Sequence, residues 1–231
     1  PSNTIANTGG ATLSYVARAY NSSLVLVSSS LSGSSSPLTV TGLTAGVSYT
    51  YVVVSSNGFL SSAESTASSA LIYYTKPTAP TSIGAALDPP ATPTGVNVSF
   101  TTSSNNGGGT LTYTATAYLG GVATAFTASG ATSPLKITGL TAGTTYTYRV
   151  TAANAAIISD ISDPPATLLY QTNPSVPQSV NASVTLNTTT ITLSAPSSNG
   201  GSALTSYRVV SSPTGYDSGV LSTSTTSVVA T

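Results

Sequence analysis

The hexapeptide Thr-Gly-Leu-Thr-Ala-Gly stands at residues 41–46 and again at residues 138–143, and Tyr-Thr-Tyr begins three residues after each copy. The two copies are 97 residues apart, and the same spacing separates Pro37 from Pro134 and Pro80 from Pro177. A period of this length indicates a whole domain copied in tandem, since shorter solenoid repeats run to about 20–50 residues. A third copy begins with a Pro-rich segment and repeats the motif Asn-Gly-Gly at residues 199–201, as at residues 106–108.

The repeats alternate apolar and small polar residues in short runs. Tyr49, Tyr51 and Val53 alternate in the first copy, and Tyr146 and Tyr148 begin the same run in the second. A period of two predicts half-buried strands, and Gly, Pro, Asn and Ser clusters bound the runs at the spacing expected of a β-sandwich. Because no stretch carries an apolar pattern at helical spacing, we predict an all-β chain.

Composition excludes several classes of function. Charged residues make up 4% of the chain and the formal net charge is zero, so the sequence has no basic face for nucleic acid. No apolar run approaches the ~20 residues that span a bilayer, which predicts no membrane insertion. Cys and His are both absent, and with them disulfides, thiolate metal sites and the commonest general base.

The five acidic residues offer little for catalysis. A mechanism with paired carboxylates needs two carboxyl groups held across a cleft, and only Asp160 and Asp163 are close in sequence. We interpret them as exposed turn acids, with a weak calcium site as the alternative. The many Ser residues have no His partner and no Gly-x-Ser-x-Gly elbow. We therefore predict a protein that is not an enzyme and has no cofactor and no metal site.

The succession of motifs in the second copy resembles the fibronectin type III domain, in the form common in bacterial extracellular proteins. The residues that carry the resemblance are Pro77, Pro80, Val96, Val98, Phe100, Asn106 to Gly108, Leu111, Tyr113, Ile137, Gly139, Leu140, Gly143, Tyr146, Tyr148, Val150, Ala152 and Asn154. The resemblance covers the whole chain and implies tandem immunoglobulin-like β-sandwiches with a repeat of about 97 residues. Phe100 and Leu193 stand where the family usually has Trp, and this departure suggests a lighter core.

The resemblance also implies a structural role for the repeated hexapeptide. Tyr49 and Tyr146 fall at the family's tyrosine corner, in which the ring packs inward and the hydroxyl bonds back to the backbone. Leu43 and Leu140 are expected to fill the same end of each core. Gly46 and Gly143 are the turn residues that we expect to need a positive φ.

The frame predicts three domains, at residues 1–75, 76–172 and 173–231. The first is expected to lack strands A and B, the second to be complete, and the third to lack strands F and G. Two explanations remain open: the residues are a window of a longer array, or neighbouring subunits complete the end domains by strand addition.

Four sequons of the type Asn-x-Ser/Thr occur at Asn21, Asn97, Asn181 and Asn187. Chance alone predicts about four in a chain this rich in Ser and Thr. They are possible glycosylation sites, and O-linked sugars on the hydroxyl-rich surface are a further possible modification.

The leading hypothesis is a structural repeat segment of an extracellular filament, fibre or surface stalk on a cell or virion. Low charge and the scarcity of Lys at strand edges favour self-association. The alternatives are an accessory or linker module of a secreted polysaccharide-degrading enzyme, and a surface adhesin with a carbohydrate or protein ligand. Flanking sequence distinguishes these hypotheses, since further repeats favour a fibre and a catalytic domain favours the accessory role.

Overall fold

The computed structural model describes residues 11–186, 188–212, 215–223 and 227–230. These residues form fourteen antiparallel strands and no helix, which confirms the all-β prediction. They group into two compact units. The first unit contains the described parts of Pro1–Ala79, Ser103–Thr112 and Thr151–Asp160, and the second those of Pro80–Thr102, Tyr113–Val150 and Ile161–Thr231.

The first unit has one sheet, in the strand order β2-β1-β3-β4. Its strands are β1 (Ser14–Asn21), β2 (Leu26–Ser29), β3 (Ser48–Ser56) and β4 (Leu71–Ile72). The central pair is fully in register, with Val16 opposite Val54 and Tyr20 opposite Thr50. The predicted alternation of Tyr49, Tyr51 and Val53 thus lies on β3, at the centre of this sheet.

The second unit has three sheets, in the strand orders β5-β6-β9, β11-β10-β7-β8 and β12-β13-β14. Its strands are β5 (Thr81–Asp88), β6 (Gly95–Thr101), β7 (Thr112–Leu119), β8 (Val122–Gly130), β9 (Leu135–Thr138), β10 (Thr144–Ala153), β11 (Ala166–Tyr170), β12 (Val180–Thr185), β13 (Thr188–Leu193) and β14 (Ser227–Ala230). The first two sheets combine strands one, two and five of a repeat with strands three, four, six and seven, which is an immunoglobulin-like arrangement. The prediction of fibronectin type III-like sandwiches is confirmed by this order.

The core of the second unit lies between the sheets β5-β6-β9 and β11-β10-β7-β8. Val96 and Val98 on β6 and Tyr148 and Val150 on β10 are fully buried. Phe100 on β6 contacts Tyr113 on β7 with ring centroids 4.8 Å apart. The alternation of apolar residues in sequence therefore becomes the contact between two sheets.

The predicted domain boundaries after residues 75 and 172 stay a prediction. The first compact unit extends to Ala79 and includes the segments Ser103–Thr112 and Thr151–Asp160 of the second copy.

Serine side chains complete the backbone hydrogen bonding of neighbouring segments in an arrangement that we call a serine clasp. In a clasp, the backbone N–H of a serine donates to the carbonyl of one residue opposite, and the serine Oγ accepts the N–H of that same residue. One serine thereby satisfies both backbone groups of its partner. Nine serines do this: Ser30, Ser62, Ser65, Ser68, Ser159, Ser162, Ser175, Ser211 and Ser218.

The clasps use the serine hydroxyl as donor and acceptor at once. In six of them the Oγ–H also donates to the carbonyl of the next residue, namely at Ser30, Ser62, Ser65, Ser68, Ser159 and Ser218. A hydroxyl has the one donor and two acceptor sites that this requires. The clasps therefore give a structural role to serines of this Ser-rich chain, and composition alone does not predict that role.

A run of three clasps follows β3. Ser62, Ser65 and Ser68 bond to Ser55, Val53 and Tyr51 respectively, so a step of three residues on one side matches a step of two on the other. The segment is not a regular strand, yet it satisfies the edge of the sheet. The segment precedes β4, which is only two residues long and pairs with the first two residues of β3.

We predict that Ser162→Ala lowers the free energy of unfolding by about 1–3 kcal/mol, because it leaves the N–H of buried Val150 without its partner. The matched control is Ser129→Ala, whose exposed hydroxyl bonds only to that of Thr114, at 2.8 Å; its effect should be close to zero. Urea unfolding of both variants measures the difference. Equal effects would show that clasps do not stabilise the fold.

We expect opposite changes in the free energy of unfolding when Tyr146 and Tyr148, two tyrosines on the same face of β10, are each replaced by Phe. Tyr146 Oη accepts the N–H of Thr141 at 3.3 Å, whereas Tyr148 Oη is buried with no hydrogen-bond partner among the described residues. Tyr146→Phe should therefore cost about 1 kcal/mol and Tyr148→Phe should stabilise by a similar amount. Burial, and then the nearby Tyr146 and Tyr170, raise the pKa of Tyr148 from 10.0 to about 12.

The raised pKa of Tyr148 makes the stability of the fold depend on pH in the alkaline range. Above the ordinary pKa the unfolded chain loses the Tyr148 proton while the folded chain keeps it, so stability falls as the pH rises from 10.0 to about 12. Unfolding midpoints measured across this range should decline less steeply in Tyr148→Phe than in the unsubstituted chain. Identical slopes would contradict the assignment.

Candidate functional site: the joints between repeats

The repeated hexapeptide of the first copy lies against the Asn-Asn-Gly-Gly loop that follows in the second copy. Within the first unit, Thr75 N–H donates to Gly107 O at 3.0 Å, and Thr78 N–H donates to Asn105 O at 3.0 Å. Gly46 N–H donates to Tyr73 O at 2.8 Å. Backbone hydrogen bonds therefore tie the connecting segment to the loop on one side and to the hexapeptide turn on the other. We call this arrangement the first joint.

The second unit contains the same arrangement one repeat later, and we call it the second joint. Thr172 N–H donates to Gly200 O at 2.8 Å, and Ser175 N–H donates to Ser198 O at 2.9 Å. Gly143 N–H donates to Tyr170 O at 2.8 Å. All three backbone bonds of the first joint thus recur in the second.

Glycine is required where the two backbones meet. Gly108 and Gly201 have φ values of 89° and 88°, which residues with a side chain rarely adopt. A Cβ atom on Gly108 would lie 2.1 Å from Gly46 N, and one on Gly201 would lie 2.1 Å from Gly143 N. No side chain fits at either contact, so the second glycine of each Gly-Gly pair allows two loops to touch through their backbones.

Side chains add a polar layer around this contact. Thr78 Oγ1 lies 3.2 Å from Ser104 Oγ, and Ser175 Oγ lies 3.1 Å from Ser197 Oγ. The hydroxyl pair is therefore also repeated. Lys76 pairs with Asp160 beside the first joint at 2.5 Å.

Asn154 is a central side chain of the first joint. Its Nδ2 donates to Thr75 O at 2.9 Å, and it lies 3.3 Å from Asn106 O and 3.4 Å from Gly107 O. Its Oδ1 accepts the N–H groups of Ala156 and Ile157 at 3.1 and 2.9 Å. This buried amide uses both ends, one to shape its own turn and the other to hold the connecting segment.

The sequence alone does not reveal these contacts. In it, Asn154 is only the last residue of a motif, and Asn106 to Gly108 are another part of the same motif. The available signal was that the Gly-Gly pair recurs together with the hexapeptide in successive copies. The recurrence shows that the hexapeptide and the Gly-Gly pair are both parts of the repeat. It does not show that the two are in contact.

The structure places the predicted turn and corner residues as follows. Tyr49 Oη accepts the N–H of Thr44 at 3.1 Å, as Tyr146 Oη does that of Thr141. Gly46 and Gly143 have φ values of 83° and 80°. Leu140 is buried and Leu43 is half-buried. The two glycines also belong to the joints, a role that the turn alone does not require.

The possible glycosylation sites fall in different surroundings. Asn21 ends β1, and its Oδ1 accepts the N–H groups of Ser23 and Val25, both at 3.0 Å. Asn97 is half-buried on β6, and Asn181 is exposed on β12. Asn187 lies outside the described residues. Glycosylation of these residues stays a prediction.

Each of the ten charged side chains is engaged in an ion pair. Arg18 pairs with Glu64 at 2.9 Å, Lys136 with Asp88 at 2.9 Å and Arg149 with Asp163 at 3.0 Å, and the other two pairs are Lys76 with Asp160 and Arg208 with Asp217. Asp160 and Asp163, which the sequence placed close together, therefore bind two different cations. No cluster of acidic residues suited to a metal ion occurs in the part of the chain that the structure describes.

Two of these pairs shift the pKa of their carboxyl groups. Hydrogen bonds from Tyr20 and then Arg18 lower the pKa of Glu64, and the carboxylate in turn raises the pKa of Tyr20. Arg208, and then the N–H of Gly219, lower the pKa of Asp217 to about 2. The groups are exposed, so these pairs add little stability.

No helix among the described residues is long and apolar enough to cross a membrane. No protein-family model matches the chain, and no curated protein matches it either.

Solved structures of tandem domains are similar to this chain. A titin segment of domains A168–A170 matches with a TM-score of 0.42 and 17% identity over 67% of this chain and 54% of that one, so the chain spans about half of the titin segment. The FN1–FN3 domains of chicken CNTN1 match with a TM-score of 0.35 and 12% identity over 94% of this chain and 78% of that one. A two-domain fibronectin type III segment of chicken tenascin matches with a TM-score of 0.36 and 18% identity over 68% and 83%. The strand order and tyrosine corners described above, and not these likenesses, identify the fold.

We predict that Asn154→Asp destabilises the first joint, because a carboxylate replaces the Nδ2 donor and faces carbonyl oxygens. The expected loss is about 1–3 kcal/mol of unfolding free energy, the cost of leaving a buried group unsatisfied. The matched control is Asn57→Asp, since Asn57 Oδ1 accepts the N–H groups of Phe59 and Leu60 at 3.1 and 2.8 Å, which a carboxylate can also do. Thermal melts at neutral pH compare the two, and a loss in Asn57→Asp as large as in Asn154→Asp would contradict the role of the amide.

Proposed function

We propose that the chain is a structural repeat segment of an extracellular filament, fibre or surface stalk, in which β-sandwich repeats assemble or set spacing. The observation that carries the proposal is the joint built twice from the same backbone bonds and the same glycine contact. A protein that needed only a flexible tether would have no use for contacts that admit no side chain. Repeats that contact only their neighbours along the chain build an extended structure, which is what a spacer requires.

The connecting segments support this role. Between the hydrogen bonds made by Thr75 and Thr78 lie only two residues, Lys76 and Pro77. Pro77 restricts its own φ and that of the preceding residue. The segment is therefore short, restrained and bonded at both ends, unlike the Gly- and Ser-rich linkers that behave as random coils.

The surface chemistry supports a structural role rather than recruitment of a charged partner. All ten charged groups pair within the chain, which leaves no unpaired charge to attract nucleic acid or an anionic surface. Apart from Lys136 on β9, the edge strands of the described residues carry hydroxyls and apolar residues instead of the Lys that usually blocks edge-to-edge contact. Such a surface suits contact between like copies in an extracellular assembly.

The rigidity of the second joint is directly measurable. The chain has no Cys, so spin labels can be attached at Cys introduced at Thr127 on β8 and Ser183 on β12, both exposed. We expect a narrow distance distribution between the two labels by pulsed electron paramagnetic resonance. Gly201→Ala should broaden or displace the distribution, because its Cβ would lie 2.1 Å from Gly143 N.

The control for this measurement is Gly121→Ala. Gly121 has a φ of 83° but nothing within 4 Å of an added Cβ, so the substitution brings the same backbone strain without the contact. Its distribution should match that of the unsubstituted chain. A broad distribution in the unsubstituted chain would overturn the proposal of a stiff spacer.

A further inference from the structure

Three asparagines are followed directly by glycine, in the pairs Asn57-Gly58, Asn106-Gly107 and Asn199-Gly200. An asparagine before glycine loses its side-chain ammonia readily, because glycine has no side chain to hinder its own backbone nitrogen. The second and third pairs belong to the two joints, whereas Asn57 follows directly after β3. The same reactive pair therefore occurs in two kinds of surroundings.

The reaction consumes water and needs no other reactant. The backbone nitrogen of the glycine attacks the asparagine Cγ and loses its proton, and Nδ2 leaves as ammonia, so that a cyclic imide forms. Water then opens the imide at either carbonyl, which gives Asp or isoaspartate. Both products add a negative charge to a chain whose formal net charge is zero. In isoaspartate the main chain also runs through Cβ and Cγ, which lengthens the backbone.

Local hydrogen bonds are alike at the three pairs. In each, the glycine N–H donates to a side chain two residues earlier: Gly58 to Ser56 Oγ at 3.1 Å, Gly107 to Asn105 Oδ1 at 2.8 Å and Gly200 to Ser198 Oγ at 3.1 Å. Each bond must break before the nitrogen attacks, so these bonds do not distinguish the three pairs. The space around the glycine does.

The joints leave their glycines no room to move. Gly107 and Gly200 are buried, and a Cβ atom on either would lie 2.0 Å from a carbonyl oxygen, that of Thr75 or Thr172. The N–H groups of the same threonines donate to Gly107 O and Gly200 O. Closing the imide ring requires rotation about the bond between Cα and the carbonyl carbon of the asparagine, and this rotation moves the glycine. A closed joint blocks it.

The pair Asn57-Gly58 has the room that the joints lack. Gly58 is exposed, and nothing lies within 4 Å of an added Cβ atom. The next two residues, Phe59 and Leu60, are 90% and 77% exposed. This loop tip can therefore rotate without displacing another segment of the chain.

We propose that Asn57 is the Asn-Gly site at which this chain deamidates, and that the joints protect Asn106 and Asn199 while they stay closed. Conversion at a joint then proceeds through opened molecules only, so its rate follows the population of the open joint. Isoaspartate at either joint would shift the next glycines, and the contacts of Gly108 and Gly201 leave no space for a shift. A joint that opens and converts therefore does not close again in its original form.

Peptide mapping by mass spectrometry on the full 231-residue chain measures the rate at which each asparagine becomes Asp and isoaspartate. The same chain unfolded in urea gives the intrinsic rate of each site, so each site is compared with itself. We expect folding to slow conversion at Asn106 and Asn199 by roughly tenfold or more, since a closed joint must open first. Conversion at Asn57 should be slowed least. This comparison needs no variant.

A substitution on the far side of the first joint tests the contact itself. In Gly46→Ala the new Cβ would lie 2.9 Å from Gly108 O, and the site is too distant in sequence to alter the intrinsic rate at Asn106. Conversion at Asn106 should rise by roughly tenfold or more as the joint opens, while conversion at Asn199 stays unchanged. Circular dichroism and thermal melts establish that the variant is folded.

The matched control is Gly42→Ala in the same hexapeptide. Gly42 has a φ of 73°, close to the 83° of Gly46, but the nearest atom to an added Cβ is Ser28 Oγ at 4.0 Å. The control therefore brings similar backbone strain without touching the joint, and it should leave the rate at Asn106 unchanged.

Three results would overturn the proposal. Folding slows conversion at Asn57 as much as at the joints, or it does not slow conversion at Asn106 and Asn199, or Gly46→Ala changes the rate at Asn106 no more than Gly42→Ala does. The first result would show that the space around the glycine does not control the reaction. The other two would show that the joints do not protect their asparagines.

Discussion

The structure depends on one contact, the approach of Gly108 to Gly46 and of Gly201 to Gly143. At each joint the two backbones come so close that a single Cβ atom would lie 2.1 Å from a backbone nitrogen. This distance leaves no room for a side chain, so the loop and the turn meet through their backbones at each joint. The tyrosine corner supports the contact from within, since Tyr49 and Tyr146 hold the turns that present Gly46 and Gly143.

Much of the fold could be predicted from the sequence, because strands, turns and repeats leave local patterns. The alternation of Tyr146, Tyr148 and Val150 became the buried side of β10, and the repeated hexapeptide became the turn before it. The joints could not be predicted in the same way, because the contact of Gly201 with Gly143 joins loops far apart in sequence. Each loop alone satisfies the description of an ordinary turn.

The serine clasps show a second limit of sequence patterns. Ser62, Ser65 and Ser68 recur every third residue, while the residues they bond on β3 recur every second residue. Such a segment does not show the alternation of apolar and polar residues that indicates a strand, and its composition suggests only a polar loop. The segment nevertheless bonds to the edge of β3, because each serine hydroxyl accepts a backbone N–H that a carbonyl of a neighbouring strand would otherwise accept.

The hydroxyls and the ion pairs together account for a chain that carries so little charge. Edge strands usually need Lys to stay apart from other edges, and here clasps occupy backbone groups of β3 and β10 beyond the ends of their pairing with β4 and β11. At these two edges, serine hydroxyls satisfy the backbone that a further strand would otherwise pair with.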